Sequence, residues 1–474
     1  RCVRFIDEIS GTAELGTTGR GRETEIGTYL ERNLDSEVSG NVIDLCPVGA
    51  LTGKPYAFTG RPWEVRRVET LDTSDGIGSS ICVDVHANSI KRVVPQYNHK
   101  LNGEWISDKT RFSLDGLGIQ RLGEFFVKSG SGLSSLKPKS RQEVMRNNLL
   151  PALSSVRDKS TGLIILLNPQ ESDLQTVMLS QMLASSLGGS VYSAGPSPSN
   201  LTFTSEFSFS SRIESIDSSD FCLIIDSNPR FEESVLNLRL RRRFREGGFS
   251  VASIGTPKNV TYPVSHVGSN LESLIQVSEG RHTVCEQLYN AKNPLVLIGS
   301  TLFSRSDKQA VEECLLSMGK SLSSTSSASA LNVLQIDANQ TGCLDLGLRQ
   351  LTKKSLELES SKYSQTFILS LDGSRMSFSL TSRLANLKGL SLASQTFSGL
   401  SITDRSEVVV PSLPFGEKNA SVVNTEGLCQ KSFCVLDDEF SQDLWTVNFL
   451  QDLIISLGVC RDGGSCTESL DKSL

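Results

Sequence analysis

Between residues 163 and 410 the chain repeats one pattern, a short run of consecutive apolar residues followed by a stretch with helical periodicity. The runs are Leu163 to Leu167, Phe221 to Ile225, Ser250 to Ile254, Leu295 to Ile298, Thr366 to Leu371 and Glu407 to Val410. Apolar runs that do not alternate suit strands covered on both faces, as in a parallel sheet between helices. Strand, helix, strand connections of this kind are right-handed and build doubly wound sheets, so the fold class is α/β.

Two of the intervening helices are specified closely. After Leu295 to Ile298, Ser306 and Gln309 form a capping box, Val311, Cys314, Leu315 and Met318 make one stripe, and Gly319 supplies an end. After Leu163 to Leu167, Ser172 and Gln175 start a helix whose face is Leu174, Val177, Met178, Met182 and Leu183. Gly188 and Gly189 stop it.

At 474 residues the chain exceeds what one core holds, so several units are expected. Residues 1–60 are rich in Gly and Thr, lack a long periodic element and suggest a small unit needing a staple, which a metal cluster would supply. Residues 61–125 read as a compact β-rich unit, with Ser80 to Val85 and Lys91 to Pro95 as strands around a polar turn at Ala87 to Ser89. Lys128 to Lys139, rich in Ser and Gly, reads as a linker before an α/β part at 140–474. Residue 1 is Arg, which suggests processing, truncation or a divided gene.

Net charge is -6, so the overall field repels phosphate backbones and nucleic acid is not an expected partner. The basic cluster Arg239, Arg241, Arg242, Arg243 and Arg245 reads as a solvated or subunit-facing helix surface. No apolar run approaches the roughly 18 residues of a bilayer span. Gly19-Arg20-Gly21, Gly76-Ile77-Gly78 and Gly130-Ser131-Gly132 lack the third glycine of a dinucleotide turn, and Gly319-Lys320-Ser321 ends a helix rather than starting one. The histidines, His86, His99, His266 and His282, have no metal spacing. No nucleophile elbow or carboxylate pair stands out.

Eleven cysteines are scattered without the density of a secreted disulfide framework. Most, such as Cys222 and Cys314, read as small buried hydrophobes, and Cys429 with Cys434 and Cys460 with Cys466 are not zinc pairs. Cys2, in Arg1-Cys2-Val3-Arg4-Phe5, and Cys46, in Cys46-Pro47-Val48-Gly49-Ala50-Leu51, look like ferredoxin cluster ligands. A cubane wants four thiolates, so the bare pair reads equally well as two buried thiols.

The resemblance becomes specific over Leu15-Gly16-Thr17-Thr18-Gly19-Arg20-Gly21, Gly27-Thr28-Tyr29 and Ser39-Gly40-Asn41-Val42-Ile43-Asp44-Leu45-Cys46-Pro47. It continues through Lys54-Pro55-Tyr56-Ala57-Phe58-Thr59, Arg61-Pro62-Trp63-Glu64 and Glu104 to Phe112. These segments resemble, in order and spacing, the 75-kDa-type large iron–sulfur subunits of respiratory complex I, the NADH:ubiquinone oxidoreductase. Weaker matches follow at Asn228-Pro229-Arg230-Phe231-Glu232, Ile254-Gly255-Thr256-Pro257, Leu297-Ile298-Gly299-Ser300, Glu417 to Ala420 and Val423 to Gly427.

That resemblance implies an α/β multidomain protein: a small ferredoxin-like fragment at 1–60, a small β-rich unit at 61–125 and, at 140–474, doubly wound sheets similar to molybdopterin oxidoreductases. It implies a 4Fe-4S cluster held by Cys2 and Cys46, with two further ligands from an absent upstream Cys-x2-Cys-x2-Cys run or another chain. Gly40, Gly49 and the amides around Cys46 are the expected donors to sulfur. Arg1, Arg4 and Arg20 either offset cluster charge or form surface salt bridges.

The same resemblance implies a relay from NADH to ubiquinone and a place in the matrix-side peripheral arm at the mitochondrial inner membrane. The expected partners are the other complex I subunits of that arm and a chain carrying the upstream cluster domains. The alternative is a structural or assembly subunit that has lost its cluster; a molybdopterin oxidoreductase fragment is a third reading.

Two departures from the family patterns bear on cofactors. Asp72, Asp75, Ser79 and Ser107 stand where an additional cluster site has four cysteines, and Cys82 is off register, so no second cluster is expected. Asp226 stands where a glycine precedes Asn228-Pro229, and Leu428 replaces a basic residue after Glu426-Gly427, so no molybdopterin is expected.

Overall fold

A computed structural model describes the chain except for residues 118, 129–135, 158–160, 199–207, 324–330, 353–354, 356–364, 372–390, 396–405, 437–445 and 459–474. Cys460 and Cys466 lie outside the described residues. The chain forms two compact units, each assembled from separated segments. One takes Arg1–Asp115, Pro198–Thr341 and Val423–Gln430; the other takes Gly116–Ser197, Gly342–Val422 and Lys431–Leu474.

The first unit is organised by a five-stranded parallel sheet in the order Ser265–Gly268, Ser250–Ile254, Phe221–Ile225, Pro294–Gly299, Leu331–Leu334. All five residues of Phe221–Ile225 are buried, which is why that segment carries no polar alternation. The order reverses between Phe221–Ile225 and Pro294–Gly299, giving a topological switch point at their carboxyl ends.

The helix Lys308–Ser323 begins two residues after Ser306 and runs through Gly319. Its stripe is as expected, with Val311, Leu315 and Met318 buried and Cys314 half-buried. Gly319 lies inside the helix rather than ending it, packed so closely that a Cβ there would stand 2.6 Å from Leu331 Cδ1.

The same unit carries a three-stranded antiparallel sheet, Arg66–Leu71, Ser80–His86 and Ser89–Pro95, with Ala87 and Asn88 at positive φ in the turn. It also carries a two-stranded ribbon, Leu15–Thr18 with Glu25–Thr28.

The arginine-rich helix, Ser234–Glu246, is not the solvated face its charges suggest. Arg239 pairs with Asp217 at 2.7 Å and donates to the His99 and Lys100 carbonyls. Arg243 donates to Ser219 O. Arg241 donates to Asp7 O, Glu8 O and Thr261 O, and Arg245 to Glu8 O. Arg242, paired with Glu246 along its own helix, keeps the expected exposure. A helix face carrying this many donors satisfies loop carbonyls that would otherwise be left to water.

The second unit holds an eight-stranded sheet in the order Arg349–Gln350, Ser190–Ser193, Thr161–Leu167, Gln365–Leu371, Ser391–Gln395, Val408–Pro411, Phe125–Lys128, Leu136–Lys139. Its first six strands are parallel and the last two are antiparallel. The expected linker is therefore corrected: both its ends belong to strands that pair with each other, Lys128 opposite Leu136.

The helix Leu174–Leu187 starts after Asp173 rather than Ser172 and stops at Gly188, whose φ is 71°. It packs Val177, Leu183 and Leu187 into a core with Leu163, Ile165, Leu167, Phe449 and Leu453. Among the described residues, no helix is long and apolar enough to cross a membrane.

Candidate iron–sulfur site

Cys2 opens a short helical turn that continues into a π-helix, Phe5–Ser10, closed by Gly11 at φ 84°. Its side chain is buried in a small core with Phe5, Ile6, Leu15, Val38 and Val42, against which Leu45, Leu51 and Trp105 pack. Val42 and Leu45 lie on the helix Asn41–Leu45, and Cys46 caps that helix with its N–H directed at Val42 O, 3.1 Å away. Cys2 is thus packed among the residues that flank Cys46 on both sides.

Cys46 sits at a fan of main-chain donors. The N–H of Leu51, then those of Val48, Ala50 and Gly49, favour its thiolate and hold the thiol below its ordinary value against the opposing effect of burial. Pro47 and Gly49, the latter at φ 66°, shape the turn that carries these amides. Such amides stabilise a coordinated sulfur as they do a free thiolate.

Gly40 is not among these donors. Its N–H is taken by Asp108 Oδ1 at 2.7 Å, and a Cβ at Gly40 would press on Asp108 and Arg111. Asp108 also accepts from Ser39 Oγ, while Asn41 bridges Val38 O and Ile106 O and Arg111 pairs with Asp44 at 2.5 Å. This network fixes the helix before Cys46. Arg4 is paired with Glu8, which supports the salt-bridge account of that residue.

Asp72, Asp75, Ser79 and Ser107 are brought together indoors. All four are buried, and Glu233, from the start of the arginine-rich helix, joins them. Asp72 accepts from Ser74 Oγ at 3.0 Å and from Thr110 Oγ1, while Ser107 caps the helix Asp108–Ser113 through Thr110 N. Asp75 Oδ1 accepts from Ile77 N and Glu233 Oε1 from Gly76 N. Among the described residues Ser79 Oγ and Glu233 Oε2 have no hydrogen-bond partner.

Burial, then the nearby Asp72 charge, push Asp75 up to about 7 against the pull of Lys109. Burial and Asp75 lift Glu233 well above the carboxylate range. Two acids whose charged forms are disfavoured by burial occupy a place where cysteines would hold a cluster, and Cys82 is buried in its strand, its thiol raised by burial. Among the described residues no group of three or more His, Cys, Asp or Glu is arranged to hold a metal ion.

The segment Val423 to Leu428 clamps this place from above. Thr425 N and Oγ1 donate to Gly76 O at 2.8 and 2.7 Å, and Asn424 Nδ2 donates to Ile77 O. Leu428, where a basic residue is usual, is exposed and returns its amide to Asn424 Oδ1. A Cβ on Gly76 would collide with Gln335 O and Thr425 Oγ1.

At the switch point, Asp226 adopts φ 48° and donates its N–H to Ile254 O at 2.9 Å. Its side chain would lie 3.2 Å from a Cβ on Gly255, and its carbonyl 2.7 Å from one on Gly299, so the strand ends converge on it. Asn228 Oδ1 and Ser300 Oγ are buried there without a hydrogen-bond partner among the described residues. An acidic side chain at the crevice mouth opposes the phosphates of a nucleotide cofactor, so these residues do not fit a pterin nucleotide.

Family models match three successive stretches: residues 1–52, the ferredoxin-like domain of NADH-quinone oxidoreductase subunit 3; residues 65–115, the NADH-ubiquinone oxidoreductase NDSU1/NuoG-like 4Fe-4S domain; and residues 166–441, molybdopterin oxidoreductase. The NADH-ubiquinone oxidoreductase 75 kDa subunit of Reclinomonas americana is 36% identical over 448 residues, 91% of this chain and 63% of that protein. The mitochondrial 78 kDa subunits of Candida albicans and Neurospora crassa are each 34% identical over 91% of this chain, and over 58% and 57% of their own lengths.

The chain thus spans about three fifths of the length of the relatives it matches. Among solved structures, the formyltransferase/hydrolase complex of Methylorubrum extorquens covers 71% of this chain and 100% of its own at 13% identity, with a TM-score of 0.48. With the third model taking in more than half of its residues, the chain belongs to the molybdopterin oxidoreductase family and is similar, over nearly its whole length, to the 75-kDa iron–sulfur subunits of NADH-ubiquinone oxidoreductase.

Proposed function

We propose that the protein is an electron-transfer subunit of mitochondrial respiratory complex I, in which Cys2 and Cys46 are two of the four thiolate ligands of a 4Fe-4S cluster. The observation that carries this reading is the fan of amides from Val48 to Leu51 around Cys46, in a segment whose core also encloses Cys2. When bound, the cluster supplies one-electron relay between NADH and ubiquinone. The chain's own part is to favour the Cys46 thiolate through those amides, to shield Cys2 with Phe5 and Trp105, whose rings are 4.8 Å apart, and to hold the Asn41–Leu45 helix through Asp108 and Arg111.

Under this reading the other two ligands come from residues outside these 474, and the partners are the subunits of the peripheral arm on the matrix side of the inner membrane. The linear modules are residues 1–60, 61–125 and 140–474, the last a scaffold without molybdopterin, as the unfavourable Asp226 supports. The scaffold alternative draws on one observation, the replacement of the cysteines at 72, 75, 79 and 107 by acids and hydroxyls.

Iron and acid-labile sulfide per chain, with low-temperature EPR of the dithionite-reduced complex, test the proposal. Cys46→Ser is expected to abolish or shift the cluster signal while Cys82→Ser leaves it unchanged. Equal signals in both variants would sink it.

A further inference from the structure

The helix that begins at Cys2 is capped by side chains more than two hundred positions away. The turn Cys2–Arg4 runs into the π-helix Phe5–Ser10, and Gly11, at φ 84°, closes it with its N–H on Ile6 O at 2.8 Å. The last carbonyls of a helix have no partner within it. Here Arg241 Nη2 donates to Asp7 O at 3.0 Å and Arg241 Nε to Glu8 O at 3.1 Å, while Arg245 Nη1 donates to Glu8 O at 2.9 Å. Two cations at the carboxyl end of a helix also suit its dipole.

The cap is held rigidly from behind. Leu238, Arg241 and Arg245 are spaced three and seven residues along Ser234–Glu246 and so share one face. Leu238 is buried in the small core that holds Cys2, Phe5 and Ile6. Other sides of the same helix are fixed independently, with Val235, Leu236 and Leu240 in the core of the five-stranded sheet and Arg239 paired with Asp217. Gly11 leaves the space that Arg241 fills, since a Cβ there would overlap the guanidinium. Arg241 Nη1 also donates to Thr261 O, so one planar group meets three carbonyls, which an ammonium could not do in that geometry.

We propose that Arg241 is a positioning residue for Cys2: seated against Gly11, its guanidinium fixes the end of the helix and thereby the point from which the Cys2 sulfur meets iron. The proposal rests on the cluster reading of Cys2 and Cys46. Cys46 is held by other means, its helix tied to Asp108 and Arg111, so the two sulfurs are aimed separately. Groups that orient a ligand from outside tune the centre it binds.

The test compares variants of the full chain, first free of cluster and then in the assembled complex. In timed iodoacetamide reactions read by mass spectrometry, cluster-free Arg241→Ala should alkylate Cys2 at least about tenfold faster than the parent, while Cys46 keeps its rate. Guanidinium ion, added far below concentrations that unfold the parent, should slow Cys2 again by refilling the vacated place. Arg239→Ala, on the same helix but turned to Asp217, should lower the melting temperature yet leave Cys2 unchanged. In the dithionite-reduced complex, the EPR g values should move in Arg241→Ala and not in Arg239→Ala. If Arg241→Ala does not fold, Arg241→Gln, which keeps one amide donor, is read in the same way.

Equal Cys2 rates in parent and Arg241→Ala, the same acceleration in Arg239→Ala, or an unaltered EPR signal from a cluster-loaded Arg241→Ala complex overturns the proposal. If Cys2 responds as expected but the parent complex shows no iron at Cys2 and Cys46, Arg241 still seats the helix and it is the cluster reading that falls.

Discussion

The ribbon at Leu15–Thr28 and the strand Phe221–Ile225 lie in the same unit, yet they are stabilised in opposite ways. The strand is buried along its whole length, has a parallel neighbour on each side and places Leu223 at 0% exposure. The ribbon has one partner strand and an outward-facing surface. The contrast teaches that the central strand is held by burial and by a neighbour on each side, whereas the ribbon in the cysteine-bearing part is held by a single strand pairing.

Replacing Leu223 by Ala should sharpen that contrast most, lowering unfolding free energy by about 2–5 kcal/mol in urea titrations, because the central strand cannot collapse around the cavity. A loss under 1 kcal/mol would mean the sheet is looser than its burial implies. The buried acids give the next effect. Asp75 titrates near 7 in the folded chain and near 3.8 unfolded, so the folded state binds the extra proton between those values. Stability from this group is present below about pH 4 and is lost as pH rises through about 7, on the order of 2–4 kcal/mol across the window.

Asp75→Asn, which keeps an acceptor for Ile77 N, should flatten that slope in thermal melts between pH 4 and pH 8. Parallel curves for variant and parent would remove the proton from the account. Thiol reactivity compares the regions directly: in cluster-free protein at pH 7.5, Cys46 should alkylate at least about 100-fold faster than Cys222, whose thiol is raised by burial. Mass spectrometry of timed iodoacetamide reactions reads the ratio, and equal rates would deny the amide fan its effect. Leu30→Ser, on the exposed side, should move stability by no more than about 0.5 kcal/mol.

Much of the sheet was legible because a strand buried on both faces leaves no polar residue in its run; Phe221–Ile225 and Ser250–Ile254 fall where the apolar runs place them. Helix ends were less so. Gly319 has the composition of a stop, but its role is set by Leu331, a neighbour only in space. The Ser- and Gly-rich stretch after Lys128 hides a strand pair because short edge strands carry little apolar signal.

In the candidate site, Cys2 and Cys46 were visible through local motif and resemblance, and the amides of Val48 to Leu51 through the turn that follows Cys46. Glu233 was missed, since an acidic pair before a helix reads as surface, and its companion Asp75 is separated from it by more than a hundred and fifty residues. The arginines were misread for the same kind of reason: periodicity shows where a charge lies on a helix, not which loop returns to meet it.

Arg239, Arg241 and Arg245 reach carbonyl oxygens at positions 7, 8, 99, 100 and 261. Every residue type carries that oxygen. The splint that steadies the cysteine-bearing segment thus reads mainly the path of the chain, and its spelling enters at Glu8, whose carboxylate also meets Arg245 at 3.7 Å.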